Sequence, residues 1–220
     1  MSKLLLSLVL LFSSSAFAGL IGNIEHNYGT DTYIPSFLNS GACDTKHADS
    51  ITIKDNGPTG CQRFVDVFEF TALDFTSIDY FELELTFSRT GSPLDIFHLF
   101  EDWNVRPASS TSVAATTAEM QQLTQTQGTI ITETFTFNSS NLSSIFSDIV
   151  DNKKFYLWFA EETWGKDQFN LYSANLSVYG TASTVDVGNP NDTTDPARVP
   201  APASLALLGF GLLLLRRFKK

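Results

Sequence analysis

The sequence predicts an all-β fold, an antiparallel β-sandwich that is jelly-roll-like and carries one short helix. Residues 81–87 alternate strictly between apolar and polar side chains, which is typical of a strand with one buried face. Similar but less regular runs recur along the chain with polar turns between them. The chain also contains 19 phenylalanines, enough large apolar side chains to fill the space between two packed sheets.

The predicted strands are apolar or alternating runs bounded by polar segments. They comprise residues 51–54, 62–73, 81–87, 94–100, 129–137, 155–160 and 169–179. In residues 141–150 apolar side chains recur at spacings of three and four, which predicts a short helix at one edge of the sandwich. Residues 108–127 are rich in Ala, Ser, Thr and Gln and are predicted to form a long loop, with a helical turn at 118–123.

An internal similarity relates residues 68–78 to residues 135–145, position by position. In both segments a strand is predicted to end and a polar corner to follow, before a further strand at 81–87 or 155–160. This strand, corner, strand unit resembles those of jelly-roll domains, including many carbohydrate-binding modules. A chance similarity among Phe, Ser and Thr is the alternative.

The first 18 residues are predicted to be a secretion signal. Lys3 supplies the basic start, residues 4–12 are apolar, and Ala16, Phe17 and Ala18 form a small-residue cleavage site before Gly19. The apolar run is too short to span a bilayer comfortably.

The last 21 residues combine a proline motif, an apolar run and a basic end. The motif is Pro200, Ala201 and Pro202, and the basic residues are Arg216, Arg217, Lys219 and Lys220. Residues 202–215 are predicted to enter the membrane, where the four cations halt transfer and remain cytoplasmic under the positive-inside rule.

These residues resemble the PEP-CTERM sorting signal, a short Pro-Glu-Pro-like motif followed by an apolar helix and an Arg-rich tail. The resemblance covers about the last 22 residues, and Ala201 stands where the family has Glu. It implies a Gram-negative envelope or secreted protein, often linked to exopolysaccharide, that an exosortase-like enzyme cuts near Pro200. A permanent tail anchor that is never cut is the alternative.

Between the ends, the sequence predicts one domain at residues 19–180 and a flexible linker at 181–199, which is rich in Asp, Asn, Thr and Pro. Residues 19–199 carry all 24 acidic residues and 9 of the 14 basic ones. Such a surface repels a phosphate backbone, so nucleic acid is not an expected partner. Solubility alone also explains the acidity.

Cys43 and Cys61 are the only cysteines, and an even count in an exported chain predicts a disulfide between them. The loop they would close contains Asp44, His47 and Asp49, which are candidate metal ligands. A solvated loop explains these three residues equally well, and no cofactor is predicted.

Aromatic residues beside carboxylates suggest a sugar platform, in which a flat ring faces a pyranose and the carboxylates bind its hydroxyls. The candidates are Trp103 and Trp164, with Glu101, Asp102, Glu161 and Glu162. Packing inside the fold is the alternative for each tryptophan, and it is the preferred one for Trp158. Neighbouring carboxylates on a strand point to opposite faces, so neither pair alone provides the two acids of a glycosidase.

The sequence contains no nucleophile elbow, phosphate-binding glycine loop or zinc-protease helix. We therefore expect an exported surface or matrix protein with a non-catalytic β-sandwich. The alternative is a carbohydrate-binding module, and an enzyme acting on envelope glycans is the third hypothesis.

Overall fold

The computed structural model describes residues 18–36, 38, 43–54, 64–88, 90, 103–112, 120–126, 128–161 and 168–183. These residues form ten strands and one helix. The elements are β1 Gly19–Asn27, β2 Thr45–Lys46, β3 Ile51–Lys54, β4 Val65–Glu69, β5 Phe75–Ser88, β6 Trp103–Ala108, β7 Gln121–Gln122, β8 Ile131–Asn138, α1 Phe146–Asn152, β9 Lys154–Glu161 and β10 Gln168–Ala182.

The strands form two antiparallel sheets. The large sheet has the order β2-β3-β10-β5-β8, and β1 also pairs with β10. The small sheet has the order β4-β9-β6-β7. Inward side chains from both sheets form one apolar core. In it the ring centroid of Phe155 lies 5.6 Å from that of Phe81 and 5.7 Å from that of Phe137.

The pairing of β3 to β10 is nested, and this nesting defines the jelly roll. β3 pairs with β10, β4 with β9, β5 with β8 and β6 with β7. The chain therefore folds as a long hairpin rolled up so that alternate pairs fall in opposite sheets. The predicted fold class is confirmed, and the described part of the chain contains one short helix, as predicted.

The two similar segments become the two corners at one end of the sandwich. The first corner joins β4 to β5 and the second joins β8 to β9, so each carries the chain from one sheet to the other. They touch, because Phe70 N–H donates to the Lys153 carbonyl at 3.0 Å and the Lys153 ammonium lies 4.9 Å from the Phe75 ring centroid. The repeated pattern thus matches two corners that nested pairing brings together.

Several element boundaries differ from the predicted ones. β1 was not predicted, because a bulge between Leu20 and Gly22 interrupts its alternation. The helix begins at Phe146, later than predicted, because residues 139–145 form turns. In these turns the backbone N–H groups of Asn138 and Asn141 each donate to the side-chain oxygen of the other residue. The predicted loop at 108–127 contains β7 at its sheet edge, so a helical turn there is wrong for residues 121–122.

Other expectations fall on parts of the chain that the structure does not describe. The predicted strand at 94–100 and the sorting tail lie outside the described residues. β10 continues to Ala182, two residues beyond the predicted end of the domain, and the chain divides into a unit of residues 1–183 and a unit of residues 184–220. Within the described ranges, no helix is long and apolar enough to cross a membrane.

Candidate functional site

A carboxylate buried between the two sheets forms the first candidate site. Asp66 lies in β4 with its side chain inside the sandwich, and no part of the residue is exposed. Its Oδ2 accepts from Tyr28 OH at 2.7 Å and lies 2.7 Å from Nδ1 of His26. Its Oδ1 accepts from Tyr33 OH at 2.8 Å and from the Val67 N–H at 2.8 Å. Four donors therefore occupy the four acceptor positions of this carboxylate.

Aromatic rings enclose the imidazole of His26 on both sides. The ring centroid of Tyr33 lies 4.0 Å away and that of Phe68 lies 4.4 Å away, both in stacked arrangements. An ionised carboxylate can only accept, so His26 carries a proton on Nδ1 where it meets Asp66. The cluster holds this ring in one position.

The electrostatics of the cluster favour neutral tyrosines. Burial, followed by the charge of Asp66 and the hydrogen bond to it, raises the pKa of Tyr28 well above its usual range. The same causes in the same order raise the pKa of Tyr33. Both hydroxyls therefore keep their protons at neutral pH and donate hydrogen bonds to the buried carboxylate of Asp66.

This cluster joins the sheets. His26 belongs to β1 of the large sheet, Tyr28 and Tyr33 follow it, and Asp66 belongs to β4 of the small sheet. Because every acceptor position of Asp66 is filled and rings stack on both sides of His26, the arrangement is suited to stabilising the fold. We refer to these four residues as the Asp66 cluster.

A polar cleft on the outer face of the large sheet is the second candidate site. It encloses about 420 Å³ at β2, β3 and the start of β10. Its lining is polar on every side and consists of Thr45, His47, Asp49, Ser50, Thr52, Lys54, Gln168 and Asn170. The strand alternation explains this composition, because Ile51, Ile53, Phe169 and Leu171 point into the core between these residues.

Hydrogen bonds order the floor of the cleft. The hydroxyl of Thr52 donates to Oδ1 of Asn170 at 2.7 Å, so its oxygen accepts from Nε2 of His47 at 2.8 Å. At the margin, Nζ of Lys54 donates to the Thr45 hydroxyl at 2.8 Å. Among the described residues the amide nitrogen of Asn170 has no partner. The cleft thus offers fixed donors and acceptors to a polar ligand.

The proposed metal ligands do not form a common site. Within the described part of the chain, no three His, Cys, Asp or Glu side chains come together as metal ligands. Asp44 accepts from the Lys54 N–H at 3.3 Å, His47 contacts Thr52, and Asp49 accepts from Ser50. The candidate set Asp44, His47 and Asp49 is therefore corrected, since its members face different partners.

The tryptophan predicted as a sugar platform is buried. Trp103 is 3% exposed and packs edge-on against Phe169 at 4.8 Å between ring centroids, so it presents no open face to a sugar. Trp158 is buried as expected, in a smaller cluster with Val65 and Ala108. The backbone of Glu161 pairs with that of Trp103.

The remaining predicted residues fall on undescribed parts of the chain. Glu101, Asp102, Glu162 and Trp164 lie outside the described residues. Cys43 is not a free thiol, whereas Cys61 lies outside the described residues, so their pairing stays a prediction.

Sequence reasoning missed the Asp66 cluster although one signal was present. Asp66 lies in the apolar run Phe64-Val-Asp-Val-Phe68, and a carboxylate in such a strand needs buried donors. His26 likewise lies two residues from both Ile24 and Tyr28, at the spacing of side chains on one face of a strand. The alternation of β3 was a comparable signal for the polar cleft. The sequence could not show that β3 pairs with β10, which supplies the rest of the lining.

Comparisons with known proteins assign this chain to no family. No family model matches the chain, and no curated protein sequence matches it. Among solved structures, the coat protein of Tobacco streak virus is similar, with 8% sequence identity and a TM-score of 0.25 over 67% of this chain and 95% of the coat protein. At this TM-score the two structures are only weakly alike, and it is the nested strand pairing that makes this chain a jelly roll.

Proposed function

We propose that this protein is exported and acts at the surface of a Gram-negative cell or in its matrix as a non-catalytic β-sandwich. The observation that carries the proposal is the arrangement of segments. A secretion signal precedes the sandwich, and a linker with a PEP-CTERM-like tail follows it. β1 begins at Gly19, the first residue after the proposed cleavage site, which supports cleavage there.

The two ends of the sandwich also support this arrangement. Gly19 pairs with Gly180, so the segments entering and leaving the domain do so at the same end. The tail inserts in the inner membrane through residues 202–215 and is cut near Pro200 by an exosortase-like enzyme. The body is then released to the surface or the matrix.

Intact-mass measurement of surface material tests this proposal. We expect an N-terminus at Gly19 and a C-terminus near Pro200. The double variant Arg216→Ala with Arg217→Ala removes two cations that each contribute about 1 kcal/mol to binding at an anionic leaflet. It should therefore shift material from the anchored to the released form. Arg198→Ala in the linker is the matched control and should leave the two forms in their original ratio. Mature protein in the cytoplasm would refute the proposal, and a C-terminus at Lys220 would replace sorting with a permanent anchor.

A second function, binding of a carbohydrate, is favoured by the polar cleft. Sugar hydroxyls both donate and accept, and the cleft offers both kinds of partner on a fixed frame of Thr52, His47 and Asn170. This ligand site lies on the outer face of the large sheet and not at the buried Trp103. Trp164 lies outside the described residues. Binding would hold the exported body on an envelope or matrix polysaccharide.

A glycan array with the exported protein tests this function. Asn170→Ala should weaken binding about tenfold, since it removes hydrogen bonds of roughly 1.4 kcal/mol in sum. Asn152→Ala is the matched control, because Asn152 is exposed at the end of α1. Equal binding by the two variants would exclude the cleft, and turnover of a glycan would favour an enzyme.

A further inference from the structure

The cleft continues into a longer polar surface on the same face of the large sheet. Asn170 points outward at the start of β10, and the outward positions that follow it are Ser173, Asn175 and Ser177. The last outward position in this series is Tyr179. The nine residue steps from Asn170 to Tyr179 cover about 30 Å at roughly 3.3 Å per residue.

A pair of tyrosines stands at the far end of this surface. Tyr179 of β10 and Tyr80 of β5 are direct cross-strand partners, and their rings stack with centroids 4.6 Å apart and planes 10° apart. Leu20 of β1 is the next residue in the same register and is 59% exposed. The pair therefore forms a half-buried aromatic step with an apolar neighbour, on a face whose other members are polar.

The charges on this face restrict the ligand. Lys54 lies at the margin of the cleft, but β1, β5 and β10 contain no Lys or Arg. Beyond the cleft, Glu25, Glu82 and Glu84 point outward beside the Ser and Asn positions of β10. Such a face repels anionic polymers, including acidic polysaccharides. Hydroxyl, amide and carboxylate groups together with a tyrosine ring suit a polymer that is uncharged, rich in hydroxyls and apolar on its ring faces.

We propose that a neutral polysaccharide chain binds along the outer face of β10, from the polar cleft at Asn170 to the stacked pair Tyr80 and Tyr179. This inference rests on the proposed binding of carbohydrate in the cleft and gives that site its ligand class and its length. The cleft holds one end of the bound segment by hydrogen bonds, and the tyrosines stack against sugar rings at the other end.

Affinity measured against oligosaccharide length tests the proposal on the exported protein. The probes are ladders of neutral hexose oligomers, from disaccharide to octasaccharide, together with an acidic uronic-acid ladder. For the neutral ladder we expect affinity to rise until the oligomer covers the distance from Asn170 to Tyr179. Tyr179→Ala should lower affinity for the longest oligomers about tenfold and leave the shortest unchanged.

Two further variants separate stacking from other effects. Tyr179→Phe keeps the ring and should keep the dependence on length. Ser177→Arg blocks the surface between the cleft and the tyrosine pair, so it should abolish that dependence while short oligomers still bind. Unfolding midpoints confirm that each variant is folded. Binding that is independent of oligomer length and unaffected by Tyr179→Ala would overturn the extended site but not carbohydrate binding in the cleft. If no oligomer bound at all, both the extended site and the cleft site would be refuted. Tighter binding of the acidic ladder would refute the argument from charge.

Discussion

Replacing Asp66 should lower the free energy of unfolding far more than replacing the exposed Glu69 in the same strand. Asp66→Ala removes the acceptor for three side-chain donors, of which Tyr28 OH is buried in the core and His26 is enclosed by rings. Breaking a buried pair in this way typically costs about 3–5 kcal/mol, because the remaining polar groups lose both their partner and their contact with water. A domain of this size is stable by roughly 5–15 kcal/mol.

Urea unfolding of the purified protein, followed by far-UV circular dichroism, measures this cost. The midpoint should fall while the slope stays constant, since the unfolded chain exposes the same surface. Glu69→Gln is the matched control in the same strand, because Glu69 forms a 2.7 Å ion pair with Lys154 whose side chains are both exposed, and such a surface pair contributes little to stability.

The geometry of the cluster also predicts coupling between its members. Asp66→Ala and Tyr28→Phe should be non-additive by about 0.5–3 kcal/mol, as expected for groups in one hydrogen-bond network. A cost for Asp66→Ala below about 1 kcal/mol, or equal to that of Glu69→Gln, would show that the cluster does not hold the two sheets together.

Three further predictions follow from individual residues. The raised pKa of Tyr33 means that the folded state holds this proton more tightly, so its contribution is complete below about pH 10 and is lost above it; Tyr33→Phe should flatten the fall in unfolding free energy between about pH 10 and 12. Gly180→Ala should lower the unfolding free energy by about 1–3 kcal/mol in a denaturant titration, since the new Cβ would overlap the backbone carbonyl oxygen of Ser77. Cys43 and Cys61 should both resist alkylation until a reductant is added, and two thiols modified without reductant in mass spectra of the exported protein would exclude the disulfide.

The sandwich could be predicted from the sequence because its central strands bury one face. The alternation in residues 81–87 appears in the structure as Phe81, Leu83, Leu85 and Phe87, all fully buried. β1 lacks this signal, since it pairs only with β10 and a bulge shifts its inward side chains by one position. Local alternation therefore identifies strands with one regularly buried face. It misses β1, and it also misses β6, an interior strand of the small sheet that is buried on both faces.

The sites were harder to predict because they depend on pairing between distant strands. The cluster around Asp66 needs β4 to face β1 across the core, and His26 is 40 residues away in the chain. The error at Trp103 has a similar cause, since an aromatic residue next to acidic ones has the same local sequence whether its strand turns it inward or outward. Only the register places it against Phe169.

The position of β10 has a mechanical consequence. β10 lies in the interior of the large sheet, with β5 along one side and β1 and β3 along the other, and it is the last strand of the described residues. A pull on the C-terminal segment would therefore act along β10, at right angles to the hydrogen bonds that hold it. Those bonds would share the load on both sides and would have to break together, whereas a strand at the edge would peel away one bond at a time. A pull through β10 should therefore need more force to unfold the sandwich than a pull through an edge strand.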